Sequence, residues 1–172
     1  MNTIKINETP IRTSRNFKIN NITINAPEIP EKINEFQNVQ ITTQSTNCEE
    51  TVENLPFTYG IGEEQEAEIT KLTNSKISIK TDKKENIKII YTFDEQNKYL
   101  INNIEFNLKE DANIIIEYRT NTEKECYHNG KIKVIANDNA NVNVTIVNFL
   151  NIASTHLEAV ENEIKNNANV HY

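Results

Sequence analysis

The stretch Ile104 to Tyr172 contains one motif three times: Asp111-Ala112-Asn113-Ile114, Asn139-Ala140-Asn141-Val142 and Asn167-Ala168-Asn169-Val170. The three alanines are equally spaced along the chain. The same spacing relates other positions of the unit, for example Ile104, Ile132 and Val160. A fainter copy, one residue out of step, begins near Ile77. A fixed period of about 28 residues is typical of a solenoid.

Apolar and polar residues alternate inside each unit, as in Ile104-Glu105-Phe106-Asn107-Leu108 and Val142-Asn143-Val144-Thr145-Ile146. Period two predicts strands, and the Asn and Asp residues between the runs predict turns, because Asn tolerates left-handed backbone. Two or three short strands per unit, wound in one sense, predict an all-β parallel β-helix whose coils stack at roughly 4.8 Å. The alternative is a β-sandwich with evenly spaced strands.

The predicted solenoid does not extend over the whole chain. We expect residues 1–70 to form an N-terminal leader that is mostly extended, and residues 71–172 to form the β-helix. The acidic run Glu63 to Glu68 is interpreted as a solvated face, with a short helix as the alternative. Short alternating runs predict edge strands in the leader: Ile4-x-Ile6, Ile22-x-Ile24 and Val39-x-Ile41.

Composition argues against several classes of partner. The net charge of −7 and the pI of about 5.1 disfavour a nucleic-acid groove and an anionic membrane surface. No apolar run approaches the roughly 20 residues of a membrane span. The two cysteines, Cys48 and Cys126, make no disulfide framework, so the predicted location is the reducing cytoplasm.

The chain end predicts an interaction edge. Tyr172 falls at the position of Ile116 and Val144, so the last coil is cut in the middle of a unit. An exposed strand edge invites pairing. We therefore expect a homodimer or a partner bound through this β-helix edge, or a longer functional product.

The candidate site residues are Cys126, His128 and His156. The two histidines are one period apart, so they should occupy equivalent positions on adjacent coils, separated by about 5 Å. Cys126 stands two residues before His128, and Ser154 is its equivalent. A thiolate and two imidazoles on one face predict a soft divalent metal site, or a sulfur-accepting thiol with a lowered pKa. The alternative is a plain polar turn.

The chemistry expected of this chain alone is limited. An iron–sulfur cluster usually takes four thiolate ligands, which two cysteines cannot supply. No nucleophile, base and orienting residue occur in a strand-turn-helix context, and there is no glycine-rich phosphate loop. We therefore expect a non-enzymatic protein that binds no cofactor by itself.

Several segments resemble the SufB/SufD family of Suf-system iron–sulfur cluster assembly proteins: Pro10-Ile11-Arg12-Thr13, Glu110 to Tyr118, His128-Asn129-Gly130, Asn137 to Val144 and Asn151 to Tyr172. The resemblance implies a right-handed β-helix that serves as a scaffold or accessory subunit. It also implies an ABC-type ATPase and a second SufB/SufD-like subunit as partners, with an iron–sulfur cluster only in their company. Family members are generally longer, with late Cys, His and Glu residues proposed to carry the cluster, so no cluster ligand is assigned here.

The fold alone suggests a second function. Parallel β-helices also occur in carbohydrate-active proteins, so the alternative is a β-solenoid module that binds or cleaves carbohydrate. This alternative is an analogy of fold, since no pair of carboxylates stands out in the sequence.

Overall fold

The structure is a computed structural model that describes residues 2–6, 22–44, 48–49 and 61–172. The motif Pro10-Ile11-Arg12-Thr13 lies outside these residues. The described residues of the leader form four strands and one helix: β1 Asn2–Ile6, β2 Ile22–Ala26, β3 Val39–Thr42, β4 Cys48–Glu49 and α1 Glu63–Leu72. The repeat region contributes eight strands: β5 Ser75–Thr81, β6 Glu85–Phe93, β7 Tyr99–Leu108, β8 Ala112–Thr120, β9 Tyr127–Ala136, β10 Asn141–Phe149, β11 Thr155–Ile164 and β12 Asn169–His171.

The eight repeat strands form two parallel sheets wound as a solenoid. Sheet I has the order β11-β9-β7-β5-β4, and sheet II has the order β12-β10-β8-β6-β3. Consecutive strands alternate between the two sheets, so β5–β6, β7–β8, β9–β10 and β11–β12 are successive coils 1 to 4. The structure confirms an all-β solenoid of about three turns with about 28 residues per coil.

Two leader strands extend the sheets at coil 1. β3 pairs antiparallel with β6, with Val39 opposite Tyr91, and β4 pairs antiparallel with β5, with Cys48 opposite Ile79. Both strands occupy sheet edges that would otherwise expose unpaired backbone groups. The predicted edge strand at Val39-x-Ile41 is therefore present, and the other two runs of the leader, β1 and β2, pair with each other antiparallel.

Alternation places one face of every strand in the solenoid interior. The interior cluster includes Ile87, Ile89, Tyr91 and Phe93 of β6, each at most 1% exposed. Apolar burial of this kind is worth about 1.5–3 kcal/mol for a large side chain. The residues between them face outward, which is the period-two pattern of the sequence.

The leader also covers the outer face of sheet I. A second apolar cluster joins Ile4, Ala26 and Ile69 to Tyr127 and Leu157 of the sheet. The acidic run Glu63 to Glu68 forms the first turns of α1, as in the alternative interpretation. Glu63, Glu64 and Glu66 are exposed to solvent, whereas Gln65 and Ile69 of the same helix are buried. Within the part of the chain that the structure describes, no helix is long and apolar enough to cross a membrane.

The coil register departs from the predicted period at one place. Ile104 pairs with Ile132, and Ile132 with Val160, as predicted for sheet I. In sheet II, however, Ala112 lies opposite Val142 rather than Ala140. The corner between β9 and β10 is longer than the corner between β7 and β8, which shifts the alignment by two residues. A two-residue shift keeps every side chain on its original face, so the interior stays apolar.

Two corner asparagines explain how the later coils turn. Asn139 and Asn167 have φ angles of 67° and 55° and are the non-glycine residues with positive φ in the described chain. Asp111, at the same position of the motif one unit earlier, does not adopt this conformation, and its Oδ1 instead accepts hydrogen bonds from the backbone N–H and side chain of Asn141. The corner of coil 3 therefore depends on a left-handed residue.

We expect Asn139→Ala to lower the free energy of unfolding by about 1–2 kcal/mol, because the alanine Cβ is crowded in left-handed backbone. Asn139→Gly is the matched control and should be nearly neutral, because glycine adopts positive φ freely. Urea denaturation followed by circular dichroism measures both. Equal loss in the two variants would show that the Asn side chain, rather than the backbone angle, matters at this corner.

Candidate metal centre

His128 and His156 are neighbours on adjacent strands of sheet I. They are direct partners in the β9–β11 register, and Leu100 of β7 completes the same column. The Nδ1 atoms of the two histidines are 2.8 Å apart, and the ring centroids are 4.5 Å apart. The predicted juxtaposition of the two imidazoles, about one strand spacing apart, is therefore present.

Glu158 is the third member of the group. It lies two residues after His156 on β11, so the alternation of the strand places both side chains on one face. Its Oε2 is 3.9 Å from His156 Nε2. One candidate ligand atom from each of His128, His156 and Glu158 lies within 4.8 Å of the others.

Three residues at one aligned position of adjacent strands in sheet I lie beside His128 and hold it in place. Asn102, Gly130 and Glu158 are successive partners across β7, β9 and β11. Asn102 Nδ2 is 3.4 Å from Tyr118 Oη, and Asn102 Oδ1 is 3.1 Å from His128 Nε2. With the amide in this orientation, Oδ1 accepts the Nε2–H of His128, which leaves the Nδ1 lone pair of His128 facing His156.

The absence of a side chain at Gly130 makes this contact possible. A Cβ atom at Gly130 would lie 1.9 Å from Asn102 Oδ1 and 2.6 Å from His128 Nε2. Neither distance is compatible with non-bonded contact. Gly130 has no positive φ, so its role is space rather than backbone conformation.

Sheet II closes the group from the opposite side. The Tyr118 hydroxyl donates to Glu158 Oε1, and the Tyr118 ring packs on His128 with centroids 4.4 Å apart. Tyr118 also stacks on Tyr91 at 5.5 Å, and Tyr91 Oη is 3.2 Å from Ser75 Oγ. A connected polar group therefore runs through the interior of all four coils.

Burial favours the neutral forms of these groups. It lowers the pKa of His128 well below 6.5, with His156 adding to the effect, and lowers the pKa of His156 to about 4. Burial raises the pKa of Glu158 to about 7, against the opposing hydrogen bond from Tyr118. It also raises the pKa of Tyr118 well above 10. Neutral imidazoles are the protonation state that binds metal ions.

The chain matches no protein-family model, no curated protein and no solved structure.

The third predicted site residue, Cys126, lies elsewhere. Its side chain has no exposed surface and packs in the interior cluster, and its backbone N–H donates to Ser154 Oγ at 3.1 Å. Burial raises the pKa of the Cys126 thiol, so the predicted lowered pKa is wrong. Among the described residues, Cys126 is not in the ligand group with His128 and His156. The side chain of Cys48 lies outside the description.

The sequence carried a signal for the residues that were missed. Glu158 follows His156 by two positions, which is the spacing of one strand face. Asn102, Gly130 and Glu158 also recur with the period that relates the two histidines. Tyr118 had no such signal, because it comes from the opposite sheet and meets the group only across the interior.

Proposed function

We propose that this protein is a non-enzymatic scaffold or accessory component of iron–sulfur cluster assembly in the cytoplasm. It works with an ABC-type ATPase and a second SufB/SufD-like subunit, as the resemblance implies. The observation that carries the proposal is that four of the resembling segments lie in the stacked coils. Glu110 to Tyr118 covers most of β8, and His128-Asn129-Gly130 lies in β9. Asn137 to Val144 covers the next corner and the start of β10, and Asn151 to Tyr172 covers coil 4.

The solenoid suits a scaffold for a physical reason. Each coil hydrogen-bonds the next along both sheets, so the coils form one continuous stack with two extended sheet faces. The buried Cys126 has a raised thiol pKa, which makes it a poor thiolate ligand. Under this proposal the thiolates of any bound cluster come from partner chains, and the solenoid positions those chains.

We expect the chain to co-purify under anaerobic conditions with a Suf-type ATPase and a SufB/SufD-like subunit when the three are expressed together. Size-exclusion chromatography with iron and sulfide analysis measures the complex and its cluster. Cys126→Ser is the matched variant, and it should retain both association and iron, because this thiol is buried in the core. Separate elution of the chain, with no iron or sulfide in any mixture, would overturn the proposal.

A further inference from the structure

We propose that His128, His156 and Glu158 bind one divalent first-row transition metal ion inside the solenoid, between coils 3 and 4. This proposal goes beyond the scaffold function and does not depend on it. It rests on ligand type, on distances and on the contacts that hold two of the three ligands.

The donor set defines the class of metal. Two imidazole nitrogens and one carboxylate oxygen match three-ligand zinc sites and the facial arrangement of two histidines and one carboxylate that binds ferrous iron. Mg²⁺ and Ca²⁺ prefer oxygen ligands throughout, and only one of these three ligands supplies oxygen. The site should therefore select Zn²⁺, Co²⁺ or Fe²⁺ over the alkaline-earth ions.

The distance between the two imidazole nitrogens is close to that of a bound site. Metal–nitrogen bonds of roughly 2.0–2.1 Å in tetrahedral geometry separate two nitrogens by about 3.3 Å. The Nδ1 atoms of His128 and His156 are 2.8 Å apart, so a shift of about half an ångström admits an ion. The ion would replace a hydrogen bond between two imidazoles. The displaced proton of His156 moves to Nε2, which keeps the ring neutral, and the proton of Glu158 is released to solvent, because a carboxylate binds a metal ion in its ionised form.

Two of the three ligands are already held by neighbours. Asn102 Oδ1 accepts the Nε2–H of His128, which directs the Nδ1 lone pair toward the site. The Tyr118 hydroxyl donates to one oxygen of Glu158, and the other oxygen lies 3.9 Å from Nε2 of the His156 ring. Metal-binding histidines and carboxylates characteristically have such outer partners, and removing one typically costs 10–100-fold in affinity.

The site also has an entry side and a free coordination position. His128 is completely buried, whereas the side chains of His156 and Glu158 are 20% and 8% exposed. An ion can therefore reach the group from the side of β11. Three protein ligands leave a fourth position for water or for a group from another molecule.

The test is metal titration of the purified, chelator-treated chain by calorimetry. Zn²⁺ and anaerobic Fe²⁺ should each bind one per chain, and Mg²⁺ should not bind. Co²⁺ should give the visible absorption of a four-coordinate ion. His156→Gln and Glu158→Gln remove one ligand each, and we expect each to lower affinity by at least tenfold.

Matched controls come from the same end of the chain. His171→Gln removes an exposed histidine of β12, and Glu163→Gln removes an exposed carboxylate of β11 that pairs with Lys165. Both should bind metal like the original protein. Tyr118→Phe keeps the ring but loses the hydroxyl that orients Glu158, so it should weaken binding by about 10–100-fold.

The outcomes separate the proposal from its rival, in which the histidine pair is only a structural hydrogen bond. Unchanged isotherms in both His156→Gln and Glu158→Gln overturn the metal site, as does equal weakening in His171→Gln and Glu163→Gln. Circular dichroism checks that each variant remains folded, and Glu158→Gln retains the Tyr118 acceptor, so it is the variant least disturbed by loss of packing.

Discussion

Gly130→Ala should lower the free energy of unfolding by about 3 kcal/mol, a large effect for one added methyl group. The new Cβ would lie 1.9 Å from Asn102 Oδ1, and both Asn102 and His128 are completely buried. Overpacking a well-packed core costs about 1–3 kcal/mol. If Asn102 moves away, the Nε2–H of His128 loses its acceptor, which costs a further 1–3 kcal/mol or so. Alanine also lowers the conformational entropy of the unfolded chain, but this stabilises the folded protein by only about 0.4–1 kcal/mol.

A double-mutant cycle identifies the cause of that loss. Asn102→Ala alone leaves His128 unsatisfied, but it also removes the atom that a Cβ at Gly130 would strike. The double variant Gly130→Ala/Asn102→Ala should therefore be more stable than the sum of the two single losses predicts. Strict additivity, measured by urea denaturation, would show that the glycine is needed for some other reason.

Glu158→Gln should stabilise the protein at neutral and alkaline pH in the presence of a chelator. The pKa of Glu158 is raised by burial to about 7, from an ordinary value of 4.5. Folding therefore favours its protonated form. The contribution of this carboxyl to the free energy of unfolding is fully present below pH 4.5 and is lost as the pH rises through about 7. Glutamine resembles the protonated carboxyl at every pH and still accepts the Tyr118 hydrogen bond.

The gain in the free energy of unfolding of Glu158→Gln over the original protein should depend on pH. It should be near zero at pH 4.5, grow between pH 4.5 and 7, and reach about 2–3 kcal/mol above that range. The groups facing Glu158 are His156, His128 and Tyr118, which burial keeps neutral over most of this window. Urea denaturation of both proteins at several pH values measures the difference, and Glu163→Gln is the exposed control. A gain independent of pH would contradict the assignment to this carboxyl.

The two histidines oppose Glu158 in the pH dependence of the unmodified protein. Their folded pKa values are depressed, so the unfolded chain binds protons first as the pH falls below 6.5, and stability falls with it. Between pH 4.5 and 6.5 the carboxyl and the imidazoles therefore act in opposite directions. In Glu158→Gln only the two histidines still act in this pH range. The free energy of unfolding of this variant should therefore fall more steeply on acidification than that of the original protein.

Candidate site residues were predictable where they share a strand face or a column. His128 and His156 are one repeat apart, and sheet I holds that spacing, so their contact followed from the sequence. Cys126 was grouped with them because it precedes His128 by two residues. That grouping was wrong, because Cys126 precedes the first residue of β9, its Sγ–H donates to the Lys124 carbonyl, and it does not join the ligand group. The same rule applied forward from His156 reaches Glu158, which the tertiary structure places in the group.

The sequence by itself determined the strands, the solenoid and the vertical pairing of the histidines. Side-chain alternation and a fixed repeat are local patterns, so they predict strands and coils without information about the tertiary structure. Only the tertiary structure decided that Ala112 pairs with Val142 instead of Ala140, two residues away from the predicted partner. The length of each corner depends on backbone angles such as that of Asn139. The tertiary structure also decided that Tyr118 meets Glu158, since residues on opposite sheets meet only when the coil closes around a common interior.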